Sequence, residues 1–263
     1  MSQLVYWINK FGLPPGGVVH VGAHEAQEAE IYSLNLLEPV LWFEAIPELV
    51  LRARLNISSY PNQKVISSLL WSEANVNKEF NLASNDLGSS SIFPFHLHSA
   101  AYPSIKMNKS LKLATTTLDL AIQDAAIVMG DFTYLVLDVQ GAELEVLQGA
   151  KQNIGKFDYV MAEVSIRELY KSAPLFDDIH LWLTKNGFQL VESCINTQVG
   201  WGDALYIRTS VLSGRHPWIE TVDSPEMSNA ATSAMWIRSL LIKIGIRPYF
   251  LSRSFFRRLV NRE

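Results

Sequence analysis

The hydrophobic positions of this chain form short apolar runs that alternate with segments able to form helices. The first run covers residues 18–22 and stops at a glycine, the second covers 40–44 and stops at a glutamate, and the third covers 63–70. Residues 25–37 and 48–56, which lie between these runs, have the composition of helices. Three strand–helix steps within about 55 residues predict a doubly wound, mostly parallel sheet with right-handed crossovers.

This regular alternation breaks between residues 72 and 117. Residues 78–83 alternate as a strand does, residues 84–91 form a polar loop, and residues 93–102 hold two histidines among several aromatic side chains. We interpret residues 72–117 as an insertion that contains a small hairpin. Long insertions of this kind are usually functional.

The alternation resumes after the insertion and ends differently from the way it began. Apolar runs and helical segments follow one another over 134–139, 143–149, 159–164 and 175–186, and the last two apolar runs are 188–194 and 204–208. The final two runs predict an antiparallel hairpin at the edge of the sheet. Such an ending suits the topology of a Rossmann-like methyltransferase better than that of a dinucleotide-binding domain.

Beyond residue 209 the composition changes, which divides the chain into a domain (1–209) and an extension (210–263). The domain carries 14 Lys+Arg against 22 Asp+Glu, whereas the extension carries 8 against 4. We therefore expect no nucleic-acid partner for the domain, because it lacks a basic stripe. The extension is predicted to be mainly helical. Its segment 235–262 is basic and amphipathic, so it could contact a membrane surface, self-associate or pack on the domain.

The overall composition is that of a protein with a sizeable core. The 263 residues are 48% hydrophobic and 18% charged, and the one cysteine, Cys194, allows no internal disulfide and no cysteine-based zinc site. The first residues have no pattern of a secretory signal, and no apolar run reaches the roughly 18 residues of a membrane span. We expect a cytoplasmic protein, with peripheral contact to the inner face of a membrane left open.

Polar residues stand at the ends of three predicted strands. Gly22 follows the first strand, Glu44 ends the second, and Asp138 follows the strand that opens the second half of the sheet. The carboxyl ends of parallel strands meet at one edge, where ligands bind at the switch in strand order. A carboxylate at the tip of the second strand can accept both hydroxyls of a ribose. These positions therefore predict a site for a nucleoside cofactor.

Several segments resemble the FkbM family of S-adenosylmethionine-dependent methyltransferases. They are VVHVGAHEAQEAE from residue 18, WFEAIP from 42, LGSSSIF from 87, TTTLDL from 115, DVQGAELEVLQGA from 138 and GWGDALYIR from 200. These pieces keep the family's order over about four-fifths of the chain, and DVQGAELEVLQGA is the most specific. The resemblance implies a Rossmann-like class I methyltransferase fold, the cofactor S-adenosylmethionine, and O-methylation of a sugar, a glycan or a secondary metabolite.

The resemblance also implies roles for individual residues. Gly22 and Ala23 would lie against the methionine end of the cofactor, Glu44 would hold the ribose hydroxyls, and Asp138 would lie near the sulfonium and the acceptor. His20 stands where the family usually has an acidic residue, so a carboxylate for the cofactor's amino group is missing there. Ala26 replaces a glycine and adds only a methyl group.

Methyl transfer to an alcohol calls for a base that removes the hydroxyl proton. Asp138 is the first candidate, and His98 and His96 on the insertion follow because imidazole titrates near neutrality. The remaining candidates could bind the acceptor by hydrogen bonds or stacking: Ser89, Ser90, Ser91, Glu163 and Trp201.

Two other functions remain open at this level. One is a nicotinamide-dependent oxidoreductase, which is disfavoured because G-x-G-x-x-G is absent. The other is a non-catalytic module that binds a nucleoside or a protein partner, which the histidine at position 20 keeps open. A divalent metal could bind carboxylates at the strand tips, but no tight ligand spacing such as H-E-x-x-H occurs, so none is expected.

Overall fold

The computed structural model describes residues 2–221. In chain order the strands are β1 (Gly17–Val21), β2 (Val40–Glu44), β3 (Gln63–Ser67), β4 (Leu69–Leu70), β5 (Asn77–Ala83), β6 (Met107–Thr116), β7 (Phe132–Leu137), β8 (Tyr159–Ser165), β9 (Phe188–Asn196) and β10 (Trp201–Arg208). The helices are α1 (Gln3–Phe11), α2 (Ala29–Leu34), α3 (Pro47–Asn56), α4 (His98–Ala101), α5 (Leu118–Asp124), α6 (Glu143–Gln148), α7 (Phe176–Lys185) and α8 (Thr209–Arg215).

The central sheet has seven strands in the order β3-β2-β1-β7-β8-β10-β9. Neighbours from β3 through β8 are parallel, and β10 pairs antiparallel with both β8 and β9. This arrangement confirms the Rossmann-like, mostly parallel sheet that ends in an antiparallel hairpin. All five residues of β1 and of β2 are buried, as expected for strands covered by helices on both faces.

Two hydrophobic cores cover the two faces of the sheet. One core receives side chains from α1, α2, α3 and α8, and the other receives them from α5, α6 and α7. The region between β3 and α5 forms a second sheet of three strands in the order β4-β6-β5, in which β5 and β6 are antiparallel. A third cluster, with Leu49, Leu69 and Phe80 among its members, joins this small sheet to α3.

Several predicted elements have other boundaries in the structure, and two of these differences have a clear physical reason. The apolar run 63–70 is divided between β3 and β4, which belong to different sheets, because the chain turns at Ser68, whose N–H donates to the carbonyl of Glu44. The helix predicted from residue 25 begins at Ala29, since His24 and Ala26 have left-handed backbone angles of +48° and +55°.

The region after residue 209 is described only as far as residue 221. Within it α8 buries Val211 and Leu212. The amphipathic segment 235–262 lies outside the described residues, and the boundary at 209 stays a prediction. No helix within residues 2–221 combines the length and apolarity needed to cross a bilayer.

Candidate active site

The strand order of the central sheet reverses between β1 and β7, so the loops that follow these strands diverge and leave a crevice. Two cavities of about 420 and 380 Å³, which we call cavity 1 and cavity 2, lie at this carboxyl edge. Gly88, Asp138 and Gln140 line both of them. The two cavities are therefore adjacent and meet at Asp138.

The turn after β1 lies directly against the turn after β7. Gly22 has φ of +89°, and a Cβ atom there would stand 1.7 Å from the carbonyl oxygen of Asp138. Ala23 follows in the same turn, and its N–H and that of Gly22 both donate to the carbonyl of Phe43. Only glycine fits at position 22, and the two residues together form one wall of cavity 1.

Glu44 is buried and is held by backbone groups. Its Oε1 accepts the N–H of Ile46 at 2.8 Å and its Oε2 accepts the N–H of His24 at 2.8 Å. Burial raises the pKa of Glu44, while these N–H donors oppose the rise. Glu44 lines cavity 1, where a carboxylate oxygen that already accepts one hydrogen bond can accept a second from a ligand.

His20 presents a neutral ring to cavity 1. Its Nδ1 contacts the hydroxyl of Tyr32 at 3.1 Å, and its ring centroid lies 4.8 Å from that of Trp42. Burial lowers the pKa of His20 to about 3. A carboxylate missed by the sequence analysis, Glu28, lines the same cavity, and burial raises its pKa. Glu28 follows the turn and precedes α2, within the VVHVGAHEAQEAE segment, where several acidic residues occur and no spacing singles it out.

The far end of cavity 1 is apolar. Leu49 of α3, Leu69 of β4, and Phe80 and Ile92 of the insertion contribute to its lining. No local sequence signal marks these residues, because they are separated along the chain and belong to ordinary hydrophobic patterns. Such a wall suits a planar base or another apolar ring.

Asp138 shares an amide with Glu163 of β8. The Nε2 of Gln140 donates to Asp138 Oδ1 and to Glu163 Oε2, at 2.8 Å in each case, and the Oε1 of Gln140 accepts the hydroxyl of Tyr170 at 2.6 Å. Desolvation by the surrounding protein raises the pKa of Asp138, although the residue keeps contact with solvent, and desolvation together with the neighbouring carboxylates raises the pKa of Glu163 well above its ordinary value. Gln140 was missed because its role depends on contacts with β8 and with the loop after it.

Two further acidic side chains stand close to this pair. Glu143 accepts the N–H groups of Val139 and Gly141 through Oε1, at 3.0 and 3.3 Å, and burial raises its pKa to about 7. Asp203 of β10 is opposite Glu163 in the antiparallel register, and burial, followed by the charge of Asp138, raises its pKa to about 7. The carboxyl edge of the sheet therefore gathers four acidic side chains, and the pKa of each is raised.

The two candidate histidines of the insertion have different surroundings. His98 is buried, lines cavity 2, and stacks on Phe95 with ring centroids 3.9 Å apart. Burial lowers its pKa, and its Nδ1 has no partner within residues 2–221. His96 is exposed, contacts the carbonyl of Glu168 at 3.1 Å, and lines neither cavity.

The candidate serines are engaged within the protein. Ser90 accepts the N–H of Ala83 at 3.0 Å and lines cavity 1, and Ser89 accepts the side-chain amide of Asn85 at 2.9 Å and lines cavity 2. Ser91 donates to the carbonyl of Gln140 at 2.7 Å. The three serines thus hold the inserted loop beside the crevice.

Trp201 lies in the wall of cavity 2, where 37% of its surface is exposed. Its Nε1 donates to the hydroxyl of Tyr102 at 3.1 Å. Within residues 2–221, no three His, Cys, Asp or Glu side chains are grouped as a metal site would require.

The chain is similar in sequence to known methyltransferases. The sequence model described as Methyltransferase FkbM domain matches residues 20–190. The 2-O-methyltransferase NoeI of Sinorhizobium fredii (strain NBRC 101917 / NGR234) is 24% identical over 176 residues, which cover 64% of this chain and 70% of that protein.

Two solved structures resemble the chain at low sequence identity. The ribosomal protein L11 methylase from Lactobacillus delbrueckii subsp. bulgaricus has a TM-score of 0.46 with 13% identity, over 78% of this chain and 75% of that one. The magnesium protoporphyrin IX methyltransferase (ChlM) from Synechocystis PCC 6803 with bound SAM has a TM-score of 0.43 with 12% identity, over 78% and 76%.

Proposed function

The chain belongs to the FkbM methyltransferase family, and we propose that it transfers the methyl group of S-adenosylmethionine to a hydroxyl of a sugar, a glycan or a secondary metabolite. The observation that carries this proposal is the position of Asp138, which lines both cavities beside the glycine turn and near Glu44. The similarity to a protein named as a 2-O-methyltransferase supports oxygen as the methyl acceptor.

The residues of cavity 1 fit this cofactor. A volume of about 420 Å³ is within the usual range for small-molecule sites. Glu44 would accept the two ribose hydroxyls, and Leu69 and Phe80 would contact the adenine. Glu28 would pair with the ammonium group, which compensates for the neutral His20. When bound, S-adenosylmethionine supplies an activated methyl group on a positively charged sulfur.

Asp138 is the base in this proposal. It is reached from both cavities. Desolvation raises its pKa, but one N–H of Gln140 donates to its Oδ1 and favours the ionised form, which can accept the proton of an acceptor hydroxyl. His98, which lines cavity 2, is the second candidate. We assign no proton transfer to His96, because it lies outside both cavities. The enclosing residues would contribute by aligning the acceptor and excluding water.

Cavity 2 would hold the acceptor. Trp201, Tyr102 and Tyr170 give it aromatic walls, and Glu163 adds a carboxyl group that can bind hydroxyls. This combination of flat apolar faces and oxygen acceptors is suited to a sugar ring, whose two faces carry C–H groups and whose rim carries hydroxyls. Ser89 would border the same acceptor, whereas Ser90 lines cavity 1 and Ser91 lines neither cavity.

The cofactor assignment is tested by calorimetric titration with S-adenosylhomocysteine, with NAD⁺ as the ligand control. We expect micromolar binding that Glu44→Ala weakens about tenfold or more, equivalent to about 1.4 kcal/mol. Glu30→Ala, an exposed glutamate on α2, is the matched control and should bind as the wild type does. Absence of binding to a folded wild-type protein would favour the non-catalytic module.

The acceptor assignment needs a separate experiment. The protein is incubated with S-adenosylmethionine carrying an isotopically labelled methyl group and with a panel of glycans, and the labelled atom is located by mass spectrometry. We expect label on a hydroxyl oxygen, and we expect Asp138→Asn to abolish transfer while S-adenosylhomocysteine still binds. Label on nitrogen or carbon, or full activity of Asp138→Asn, would contradict the proposal.

A further inference from the structure

Gln140 joins the two cavities at the centre of the site. Its backbone is left-handed, with φ of +55°, and its carbonyl accepts the hydroxyl of Ser91 at 2.7 Å. Its side chain uses both ends of the amide: Nε2 donates to Asp138 and Glu163, and Oε1 accepts from Tyr170. The side chain therefore has a fixed position and a fixed orientation of its amide.

The position of the Gln140 amide restricts the charge that Asp138 and Glu163 can carry together. The two hydrogens of one amide nitrogen meet two carboxyl groups, and one oxygen of each carboxyl group lies 2.8 Å from that nitrogen. The two carboxyl groups are therefore close neighbours. Two carboxylates held so close cannot both ionise without a large cost, which favours a state in which one proton is shared between them. Glu163 is partly buried, which favours the same state, because less water is available to stabilise a second negative charge.

We propose that Gln140 is a positioning residue that holds Asp138 and Glu163 around one shared proton, and that this unit distinguishes the positively charged S-adenosylmethionine from its neutral by-product S-adenosylhomocysteine. The inference rests on the proposed function, since it requires that the cofactor binds in cavity 1. A cation at the junction of the cavities favours the doubly ionised pair. The shared O–H bond then breaks, and its proton passes to the solvent.

The same unit accounts for the proton of the acceptor. With the pair doubly ionised, Asp138 is free to take the proton that the acceptor hydroxyl loses, and the pair returns to its state with one shared proton. That state is the one compatible with the neutral by-product. The charge of the pair thus changes with the charge of the ligand. This change favours binding of S-adenosylmethionine and release of S-adenosylhomocysteine.

The charged and titratable groups around the pair act on it from every neighbouring element. Carboxyl groups of the β1–α2 turn, of α6 and of β10 raise the cost of a second negative charge on the pair. Positive charge on the histidine of the first turn, or on the arginine that lines cavity 2, would lower this cost. The groups are Glu28, Glu143, Asp203, His24, Arg167, His98, Tyr32, Tyr102 and Tyr170.

The test counts protons during binding. Calorimetric titrations with S-adenosylmethionine and with S-adenosylhomocysteine are run in buffers of different ionisation enthalpy, over a series of pH values around neutrality. Both ligands carry the same amino and carboxyl groups, so the difference between them isolates the charge on sulfur. We expect the wild type to release more protons on binding S-adenosylmethionine. Equal proton counts for the two ligands would overturn the inference.

Three variants separate this role from a purely structural one. Gln140→Glu places a third carboxyl group in the cluster and should move the pH of maximal proton release upward by about one unit or more. Glu163→Gln removes the shared proton and should abolish the difference between the ligands. Gln189→Glu makes the same chemical change as Gln140→Glu at an exposed position, where β9 pairs with the end of β10 remote from the site, and should match the wild type.

The outcomes distinguish the inference from the proposed function. If both ligands bind but Gln140→Glu, shown to be folded by circular dichroism, keeps the wild-type proton release, Gln140 has no positioning role. If Glu163→Gln retains the difference between the ligands, the proton is not shared as described. If neither ligand binds to the wild type, the proposed function fails, and the inference fails with it.

Discussion

At the scale of single residues, the site depends on carboxylates that are oriented by backbone N–H groups. Glu44 accepts two such groups from the turns after β1 and β2, and Glu143 accepts two from the turn after β7. Each carboxylate therefore fixes the shape of the turn that forms the cavity wall. Because these carboxylates determine both the charge of the cavity wall and its shape, substitutions of Glu44 or Glu143 should change ligand binding and protein stability together.

Gly22→Ala should destabilise the fold. The substitution forces a side chain into a left-handed conformation and into the carbonyl of Asp138, so we expect the free energy of unfolding to fall by at least about 2 kcal/mol. Urea denaturation measures the change. Gly155→Ala is the control, because a Cβ there meets nothing within 4 Å. A wild-type denaturation midpoint for Gly22→Ala would contradict this account of the turn.

Glu143 should make stability depend on pH. Its pKa rises from an ordinary 4.5 to about 7 on folding, so its contribution is fully present below about pH 4.5 and is lost as the pH rises through about 7. In Glu143→Gln, which keeps an acceptor for the two N–H groups, this loss should be absent. The free energy of unfolding of the wild type should therefore decline more steeply across this window, by up to about 3 kcal/mol.

This pH dependence is measured by urea denaturation at a series of pH values. Glu30→Gln, at an exposed position of α2, serves as the control and should follow the wild-type curve. Parallel curves for the wild type and Glu143→Gln would show that Glu143 is not the group responsible.

At the scale of elements, the inserted region is fastened over cavity 1 from two directions. The Nε2 of His24 contacts the carbonyl of Asp86 at 2.8 Å. Arg52 of α3 bonds to Glu25 at 2.6 Å and to Asp86 at 3.0 Å, and it also pairs with Glu48. The loop that contains Leu87 and Gly88 therefore closes cavity 1 through contacts with the first turn and with α3.

Arg52→Ala should loosen this closure. We expect S-adenosylhomocysteine to dissociate severalfold faster, since the loop loses its ion pair to α3, while the association rate changes less. Stopped-flow fluorescence or surface plasmon resonance gives both rates. Arg54→Ala, at an exposed position on the same helix, is the control. An unchanged dissociation rate for Arg52→Ala would mean that the ion pairs do not hold the loop over the ligand.

At the scale of the whole molecule, the fold brings two cavities together at one carboxylate. The switch in strand order opens cavity 1 between β1 and β7, and the inserted region together with the loop after β8 encloses cavity 2. Residues from most of the described chain contribute to this arrangement. A ligand that contacts so many elements should therefore stabilise all of them together against unfolding.

Thermal unfolding should report this coupling. With free S-adenosylhomocysteine at about 100 times its Kd, the folded state gains about 2.7 kcal/mol, which raises the Tm by about 5–10 °C for a domain of this size. Differential scanning calorimetry measures the shift. NAD⁺ should leave the Tm unchanged, and Glu44→Ala should reduce the shift at the same ligand concentration. A full shift in Glu44→Ala would contradict the assignment of that carboxylate to the cofactor.

The sequence by itself determined the sheet and the strand-end residues, because both depend on local patterns. Apolar runs and turns are visible in the chain, and parallel strands necessarily bring Gly22, Glu44 and Asp138 to one edge. Only the tertiary structure decided the partners of these residues. His96 and His98 are two positions apart, yet one is exposed and the other is buried in an aromatic cluster.

The same limit applies to the residues that the sequence analysis missed. Gln140 bridges Asp138, Glu163 and Tyr170, and Phe80 reaches cavity 1 from the inserted sheet. These contacts join positions that are distant in the chain, and no periodic pattern marks them. A local pattern fixes which face of an element is apolar, but the packing of whole elements fixes which polar groups meet. For this protein, local patterns determined the fold, and the packing of whole elements determined which polar groups meet in the site.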